Sequence, residues 1–394
     1  MKNLAIATAL ELRKGKQIAV VVSAMGKTTD MLIEHFQKAC ESKDGVRELD
    51  DVLSMGERTS ARLFAAALKA QEIDASYFDP SDPDWPIVTD DNFGNARPII
   101  DECIQATKRT ILPMLEKGRV PVVPGFIGRT LKGEVTTLGR GGSDVTAFVL
   151  ARAIKAREVV IVTDVDGIMT ADPKIVSNPE RIGNINVGEL VNLCDSGVKF
   201  IHRKALRYLD GSFEVRIVGN HKSEFASEGT VVTGRLPEKS DYLGYPSPVC
   251  VITIVDKGLA DEPKNLLNIL ERISSNKIPV LARSIDIDAA CICFPEARAK
   301  EVIEAVHSTI LESERGSAMA LKKKLAFLRI IGVESENTSK VLKQVIGSLE
   351  QRDIGIFGIH TVASSILIFV DWAEKDAALL AVKEAYEPLR STSF

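Results

Sequence analysis

Two stretches decide the fold: Gly133-Glu-Val-Thr-Thr-Leu-Gly-Arg-Gly-Gly-Ser-Asp-Val-Thr-Ala147 and Val159-Val-Ile-Val-Thr-Asp-Val-Asp-Gly-Ile-Met-Thr-Ala-Asp-Pro173. In the first, Gly139, Gly141 and Gly142 bracket Arg140. The loop then passes through Ser143 and Asp144 into an apolar run over 145–154 that reads as a helix, with Ser143 or Asp144 its expected N-cap. A glycine loop opening a helix exposes backbone N–H groups at the positive end of the helix dipole, which makes an anion site. A ligand-free tight turn is the plainer alternative. Arg140, a planar fork for carboxylate or phosphate, and the nearby charge of Asp144 favour the anion site. The second stretch is a buried strand over 158–163 ending in Asp164-Val-Asp-Gly167 and a polar loop with Asp172 and Lys174. Ligands of open α/β sheets bind at such carboxyl ends. A type I′ turn at Asp166-Gly167 accounts for that pair only.

Outward from these stretches, the periodicity gives a helix over 1–14, a strand over 17–22, a helix over 31–40 capped by Thr28, Thr29 or Asp30, and a long helix over 49–70. Residues 77–96, rich in proline, glycine and aspartate, read as a loop region placed to cover a ligand. A helix over 101–117, a strand over 120–124 and a turn-rich hairpin over 125–133 lead into the glycine loop. A helix over 188–197 and a strand over 213–218 follow the second stretch. This alternation is the signature of a largely parallel sheet covered by helices. Beyond 219 the pattern changes to β-α-β-β-α over 249–311, and it recurs over 325–386. Such an internal repeat is of ferredoxin-like, α+β type. The expected organisation is a first domain over 1–235, a linker over 236–247, and repeats over 248–318 and 319–394.

Composition sets limits. With 394 residues, 45% hydrophobic and 26% charged, the chain has the make-up of a soluble globular protein of two or three domains. A net charge of −4 and no long basic run argue against a nucleic-acid partner, and Lys322-Lys-Lys324 is expected to be a solvated stretch between domains. The six cysteines (Cys40, Cys103, Cys194, Cys250, Cys291, Cys293) lack metal-ligand spacing and suit a reducing setting. Neither a membrane span nor a signal pattern is apparent, so a cytoplasmic location is expected.

Leu138-Gly-Arg-Gly-Gly-Ser-Asp144, Thr163-Asp-Val-Asp-Gly167 with Thr170-Ala-Asp-Pro173, Val21-Val-Ser-Ala-Met-Gly-Lys-Thr-Thr-Asp30 and Gly56-Glu-Arg58 stand in the order found in the aspartokinases, which they resemble. Those are amino acid kinases that phosphorylate the side-chain carboxylate of L-aspartate with ATP and Mg2+. The resemblance implies that Arg140 with Ser23, Thr29, Glu57, Gly141, Gly142 and Ser143 holds aspartate, Glu57 meeting its α-amino group. It implies that Ser143 and Asp144 organise the phosphate and magnesium side, and that Thr163, Asp164, Met169 and Lys174 line the nucleotide site. Lys199, in Gly197-Val-Lys-Phe-Ile-His202, matches a lysine near the phosphates, with Val198 and Arg203 departing from the family's alanine and proline. Met169 and Lys174 replace a commoner tyrosine and arginine. No base is needed for an already ionised carboxylate, so His202 is expected to be a packed, hydrogen-bonded residue.

The paired repeats look like ACT modules, which implies an amino-acid effector, lysine or threonine, and a homo-oligomer, a dimer joined through these modules. Family members open with a strand and a Lys-x-Gly-Gly-like loop, ahead of the helix with which this sequence begins. A further roughly fifteen to twenty-five N-terminal residues are therefore expected, and poor activity without them. Two alternatives stand beside the kinase: another enzyme of the amino acid kinase fold, acting on glutamate, carbamate or a nucleotide, and a non-catalytic amino-acid sensor.

Overall fold

The computed structural model describes residues 1–40, 46–172, 174–195, 201–220, 229–235, 242–259, 263–312, 317–333 and 337–392. The chain divides into two compact units, 1–238 and 239–393.

In the first unit, α1 (Lys2–Arg13), β1 (Val20–Val22), α2 (Thr28–Ala39), α3 (Val46–Lys69), β2 (Ala75–Tyr77), β3 (Val88–Thr89), α4 (Ile100–Glu116), β4 (Val120–Pro124), β5 (Ile127–Thr130), β6 (Val135–Thr137), α5 (Gly142–Ile154) and β7 (Glu158–Thr163) lead to β8 (Asn184–Asn186), α6 (Val187–Asp195), α7 (Arg203–Leu206), β9 (Glu214–Gly219) and β10 (Thr230–Thr233). β4 runs between β1 and β2, parallel to both, and every residue of it is buried. Its prolines stand where one neighbour is absent. Pro121 pairs with Ser76 of β2 but lies before the first β1 pair, and Pro124 pairs with Val22 of β1 but lies beyond the last β2 pair. Val120 donates its amide toward the β2 side, to the Asp74 carbonyl, so each missing N–H faces the side without a strand.

Ala61, Phe64, Ala65 and Leu68 of α3 cover one face of this sheet together with Ala5 of α1. Helices α4 and α5 belong to the larger core, in which Ile111, Val123, Val145, Phe148, Val159 and Val215 pack together. That core also spans the group β7-β9-β10-β8, where β7 and β9 are parallel. Layers of helix on parallel strands are the solution for strands apolar on both faces. Two helix starts depart from expectation. α2 begins at Thr28 with no side-chain cap, and α5 begins at Gly142 behind Gly141 in the left-handed region at φ 72°.

The second unit contains β11 (Tyr242–Gly244), β12 (Val249–Val255), α8 (Lys264–Ser275), β13 (Ala282–Ile285), β14 (Ala289–Pro295), α9 (Ala299–Glu312), β15 (Ala318–Ile331), α10 (Thr338–Glu350), β16 (Ile356–Val362), β17 (Ser365–Asp371) and α11 (Lys375–Thr392). The described strands form one sheet in the order β13-β14-β12-β15-β17-β16, with β11 also on β15. Its repeats interlock. Residues 318–325 of β15 pair antiparallel with β12 and supply the fourth strand of the first ferredoxin-like repeat. Residues 325–331 pair with β17 as the first strand of the second repeat. That repeat takes its own fourth strand from β11, ahead of the first repeat in sequence.

Lys322, Lys323 and Lys324 are exposed, as expected, but lie inside a strand and not in a stretch between domains. At the changeover Lys324 takes a positive φ of 56°, its amide donates to Glu296 Oε2 at 2.8 Å, and the register with β12 shifts between Val249 and Val251.

Tyr245 donates its amide to the Phe327 carbonyl, so by the alternation of an antiparallel ladder Leu243 donates to Arg329. Leu243→Pro removes that donor and is expected to destabilise the second unit by about 1–3 kcal/mol, measured as a lowered urea midpoint. An unchanged midpoint would show that β11 contributes nothing to the second repeat.

Candidate functional site

Three groups of contacts converge at the carboxyl ends of β1 and β4. The first joins α3 to the turn after β1. Glu57 is 4% exposed; its Oε1 accepts the Ala24 amide at 3.1 Å, while its Oε2 is buried without a hydrogen-bond partner. Gly56 permits this approach, since a Cβ there would lie 2.9 Å from that of Ala24. Burial pushes the Glu57 carboxyl up to about 7, with the Ala24 amide pulling the other way. Ser23 is exposed beside Ala24, and Thr29 is half-buried in the first turn of α2.

The second group carries the start of α5. Gly125 donates its amide to the Val22 carbonyl at 2.8 Å, and a Cβ on Gly125 would meet Ser143 Oγ at 2.8 Å. Ser143 therefore sits against Gly125, the residue after β4, whose amide ties it to the last residue of β1. Gly142 faces Leu138 and Phe126 with no room for a side chain, and the Arg140 side chain is exposed at the tip of the loop.

In the third group, a Cβ on Gly141 would come within 2.2 Å of the His202 Cβ, so only glycine fits. The His202 Nδ1 accepts the Lys204 amide at 3.3 Å and caps α7, as expected of a packed, hydrogen-bonded histidine. Burial pushes the Asp144 carboxyl up to about 6, against the lowering effect of the His202 backbone N–H. This packing gives a reason for the shifted cap: with His202 against Gly141, the helix turns on a residue that has no Cβ.

Thr163, Asp164, Met169 and Lys174 form a separate set in the loop after β7. Thr163 Oγ1 donates to Asp164 Oδ1 at 3.0 Å, Met169 bridges to Arg181, and the exposed Lys174 donates its amide to Asp172 Oδ1 at 2.9 Å. Lys199 lies outside the described residues.

The loop over 77–96 is anchored from below. Arg58 meets Asp79 in a two-pronged contact at 3.0 and 2.8 Å, Arg62 adds a third at 2.5 Å, and Trp85 is 1% exposed with its Nε1 donating to the Ile87 carbonyl. Burial pushes the Asp79 carboxyl up, but the bonds from Ser81, Arg62 and Arg58 outweigh it and hold the group well below the usual carboxylate range. Sequence reasoning missed Asp50 and Lys204, both treated below. Asp50 carried a signal in its place on the buried face of α3, two helical turns ahead of Glu57. Lys204 carried none.

This geometry accompanies a match of residues 1–219 to the amino acid kinase family. An aspartokinase of Thermus thermophilus is 31% identical over 385 residues, covering 95% of this chain and 91% of its own. The chain belongs to the amino acid kinase family, among the aspartokinases. In solved structures, the aspartate kinase from Synechocystis shares the fold at a TM-score of 0.77, with 23% identity over 98% of this chain and 67% of that one. Aspartokinase III of E. coli, solved with aspartate and ADP and also with lysine and aspartate, aligns at 0.50 with 22% identity, covering 96% of this chain and at least 95% of each E. coli chain. The kinase is a phosphotransferase. Among its described residues, no helix is long and apolar enough to cross a membrane.

The shifted Glu57 makes a stability prediction. Its folded value lies above its unfolded one, so its proton stabilises the fold below about 4.5 and that contribution is lost as pH rises through about 7. Glu57→Gln has no such charge to bury. Relative to the parent it should gain stability between pH 5 and pH 8 by about 2 kcal/mol, measured by urea denaturation at both. A difference independent of pH would mean that the carboxyl is not shifted.

Proposed function

We propose that the kinase transfers the γ-phosphoryl group of ATP to the side-chain carboxylate of L-aspartate, giving 4-phospho-L-aspartate at the head of lysine, threonine and methionine synthesis. The observation that carries this is the Glu57 carboxylate, buried beside the turn after β1 with Oε2 unpartnered. A buried carboxylate in that state calls for a cation, and the α-ammonium of an amino acid supplies one. Arg140 serves the other end of the substrate as a fork for its carboxylate. The bound aspartate and ADP of E. coli aspartokinase III are of this chemistry.

The reaction needs two repelling anions brought into line, not a base. An aspartate carboxylate is ionised at neutral pH and attacks the γ-phosphorus directly, while the bond to the bridging β–γ oxygen breaks and ADP leaves with that electron pair. Ser23, Thr29, Glu57 and Arg140 orient the attacking group. The amides of Gly141, Gly142 and Ser143 offer fixed dipoles to the charge that develops. Thr163, Asp164, Met169 and Lys174 hold the nucleotide, and Lys199 neutralises phosphate charge.

No group of three or more metal-ligating side chains occurs among the described residues, which suits Mg2+ because it takes most of its ligands from phosphates and water. Asp144, half-buried at the start of α5 with one amide donor, fits as the carboxylate that would hold it. Magnesium supplies charge neutralisation of the phosphates.

Incubation with ATP, aspartate and hydroxylamine should yield aspartyl hydroxamate, and its absence from a folded, nucleotide-binding sample would reject the activity. Arg140→Ala should lower kcat/KM for aspartate at least about tenfold, the value of a charge-assisted two-pronged contact. Unchanged aspartate kinetics would remove Arg140 from the site.

We also propose that the two interlocked repeats are ACT modules that bind lysine or threonine and join two copies of the chain. Support comes from the doubled ferredoxin-like topology, whose edge strands β13 and β16 are each paired on one side only among the described residues. A ligand of the native state raises the melting temperature. A thermal-shift screen of the standard amino acids should single out lysine or threonine; a flat profile on folded protein would reject the sensor role.

A further inference from the structure

The stem entering the glycine loop is gripped from two sides by groups outside the set assigned to the substrate. Asp50 of α3 is 1% exposed and accepts three bonds: the Gly94 amide on Oδ2 at 2.8 Å, the Thr137 amide on Oδ2 at 2.8 Å and the Thr137 hydroxyl on Oδ1 at 2.7 Å. Burial pushes its carboxyl up, while the Thr137 and Gly94 donors act to lower it. From the other side Lys204 of α7 donates its Nζ to Asn95 Oδ1 at 2.6 Å, to the Leu138 carbonyl and, at 3.5 Å, to the Ala96 carbonyl. The gripped segments are themselves joined, since the Ala96 amide donates to the Thr137 carbonyl at 2.9 Å. Gly139 completes the fit, because a Cβ there would lie 2.7 Å from Asn95 Oδ1. Arg140 is the next residue.

We infer that Asp50 and Lys204 are positioning residues that hold the Arg140 loop at a fixed distance from Glu57, and so set the span available to the two charged ends of the amino-acid substrate. Asp50 and Glu57 stand seven positions apart on α3. At 3.6 residues per turn they share one face, about 10 Å apart along the axis. One rigid helix therefore carries the carboxylate that faces the substrate ammonium and the carboxylate that fixes the stem of the loop facing the substrate's α-carboxylate. An amide could keep all three contacts, because both backbone donors share Oδ2 and the Thr137 hydroxyl can turn to accept from the amide nitrogen, whereas alanine keeps none. In Asp50→Ala the stem loses all three tethers on this side and Arg140 loses its fixed place. Misplacement of a positioning group by an ångström is enough to weaken binding or turnover by orders of magnitude.

This inference rests on the proposed aspartate site, and calorimetry separates the two. Titration of the whole protein with L-aspartate, and separately with Mg·ADP, is compared among the parent, Asp50→Ala, Lys204→Met, Arg140→Ala and the double variant Asp50→Ala/Arg140→Ala. The expected result is at least about tenfold weaker aspartate binding in Asp50→Ala and in Lys204→Met, with Mg·ADP affinity unchanged. The double variant should bind no more weakly than Arg140→Ala alone, since Asp50 acts through the loop. Parent protein that binds Mg·ADP but no aspartate overturns the substrate site and this inference with it. Parent binding that survives both single substitutions overturns the inference alone, as do equal losses for aspartate and nucleotide or additive losses in the double variant. Should Asp50→Ala fail to fold, Lys204→Met and its double variant with Arg140→Ala decide by the same criteria.

Discussion

The site depends on backbone approaches too close to admit a side chain. A Cβ on Gly125, Gly141 or Gly142 would fall within 3 Å of Ser143, His202 or Leu138 respectively. These approaches bring the start of α5 against the residue after β4 and against the cap of α7 at once. They thereby fix the backbone at the N-terminus of α5, the end of a helix whose free amides favour anions. Any residue larger than glycine at these positions would open the junction, because protein interiors have little slack to absorb a methyl group.

The same closeness dries the carboxylates around the loop, and their partners differ in a way that separates their roles. Burial raises Asp50, Glu57 and Asp144 alike. Asp50 has three donors and is fully engaged in holding the loop stem. Glu57 has one donor on Oε1 and none on Oε2, which is why the proposed substrate ammonium is assigned to it. Asp144 accepts one backbone amide, from His202. A satisfied buried charge serves structure, whereas an unsatisfied one is relieved by taking up a proton or by a ligand of opposite charge.

Much of this was legible because local patterns and tertiary demands agree. The strand over 158–163 matches its expected bounds, since an unbroken β-branched run flanked by polar residues leaves no other choice. The glycine loop was visible for the same reason, as were Glu57 between Gly56 and Arg58 and the doubled ferredoxin-like pattern. The start of α5 was not. Ser143 and Asp144 are good caps in isolation, but the helix begins at Gly142 because His202, sixty residues on, occupies the space beside Gly141. Asp50 and Lys204 escaped notice because their roles exist only once the 94–96 and 137–138 segments meet. The strand through Lys322, Lys323 and Lys324 was hidden by composition. Of these three lysines in β15, all are exposed, so a solvated edge of pattern concealed a shared central strand.

That shared strand changes what the repeats are physically. Two separate ferredoxin-like modules would each close their own sheet and meet through side chains alone. Here β15 is the fourth strand of one repeat and the first of the next, and β11 reaches back to complete the second repeat. Each repeat keeps its own core: Ile252, Ile269, Ile273 and Phe294 pack together in the first, and Ile330, Val345, Leu349 and Ile368 in the second. The backbone ladder is nevertheless common to both. The positive φ of Lys324 and the register shift beside Val249 and Val251 lie at the point where β15 passes from one repeat to the other. A ligand that altered the pairing of β12 with β15 would have to move a strand whose other half is locked to β17 over seven consecutive pairs. The two repeats therefore share one backbone ladder, without any requirement for contact between their two cores.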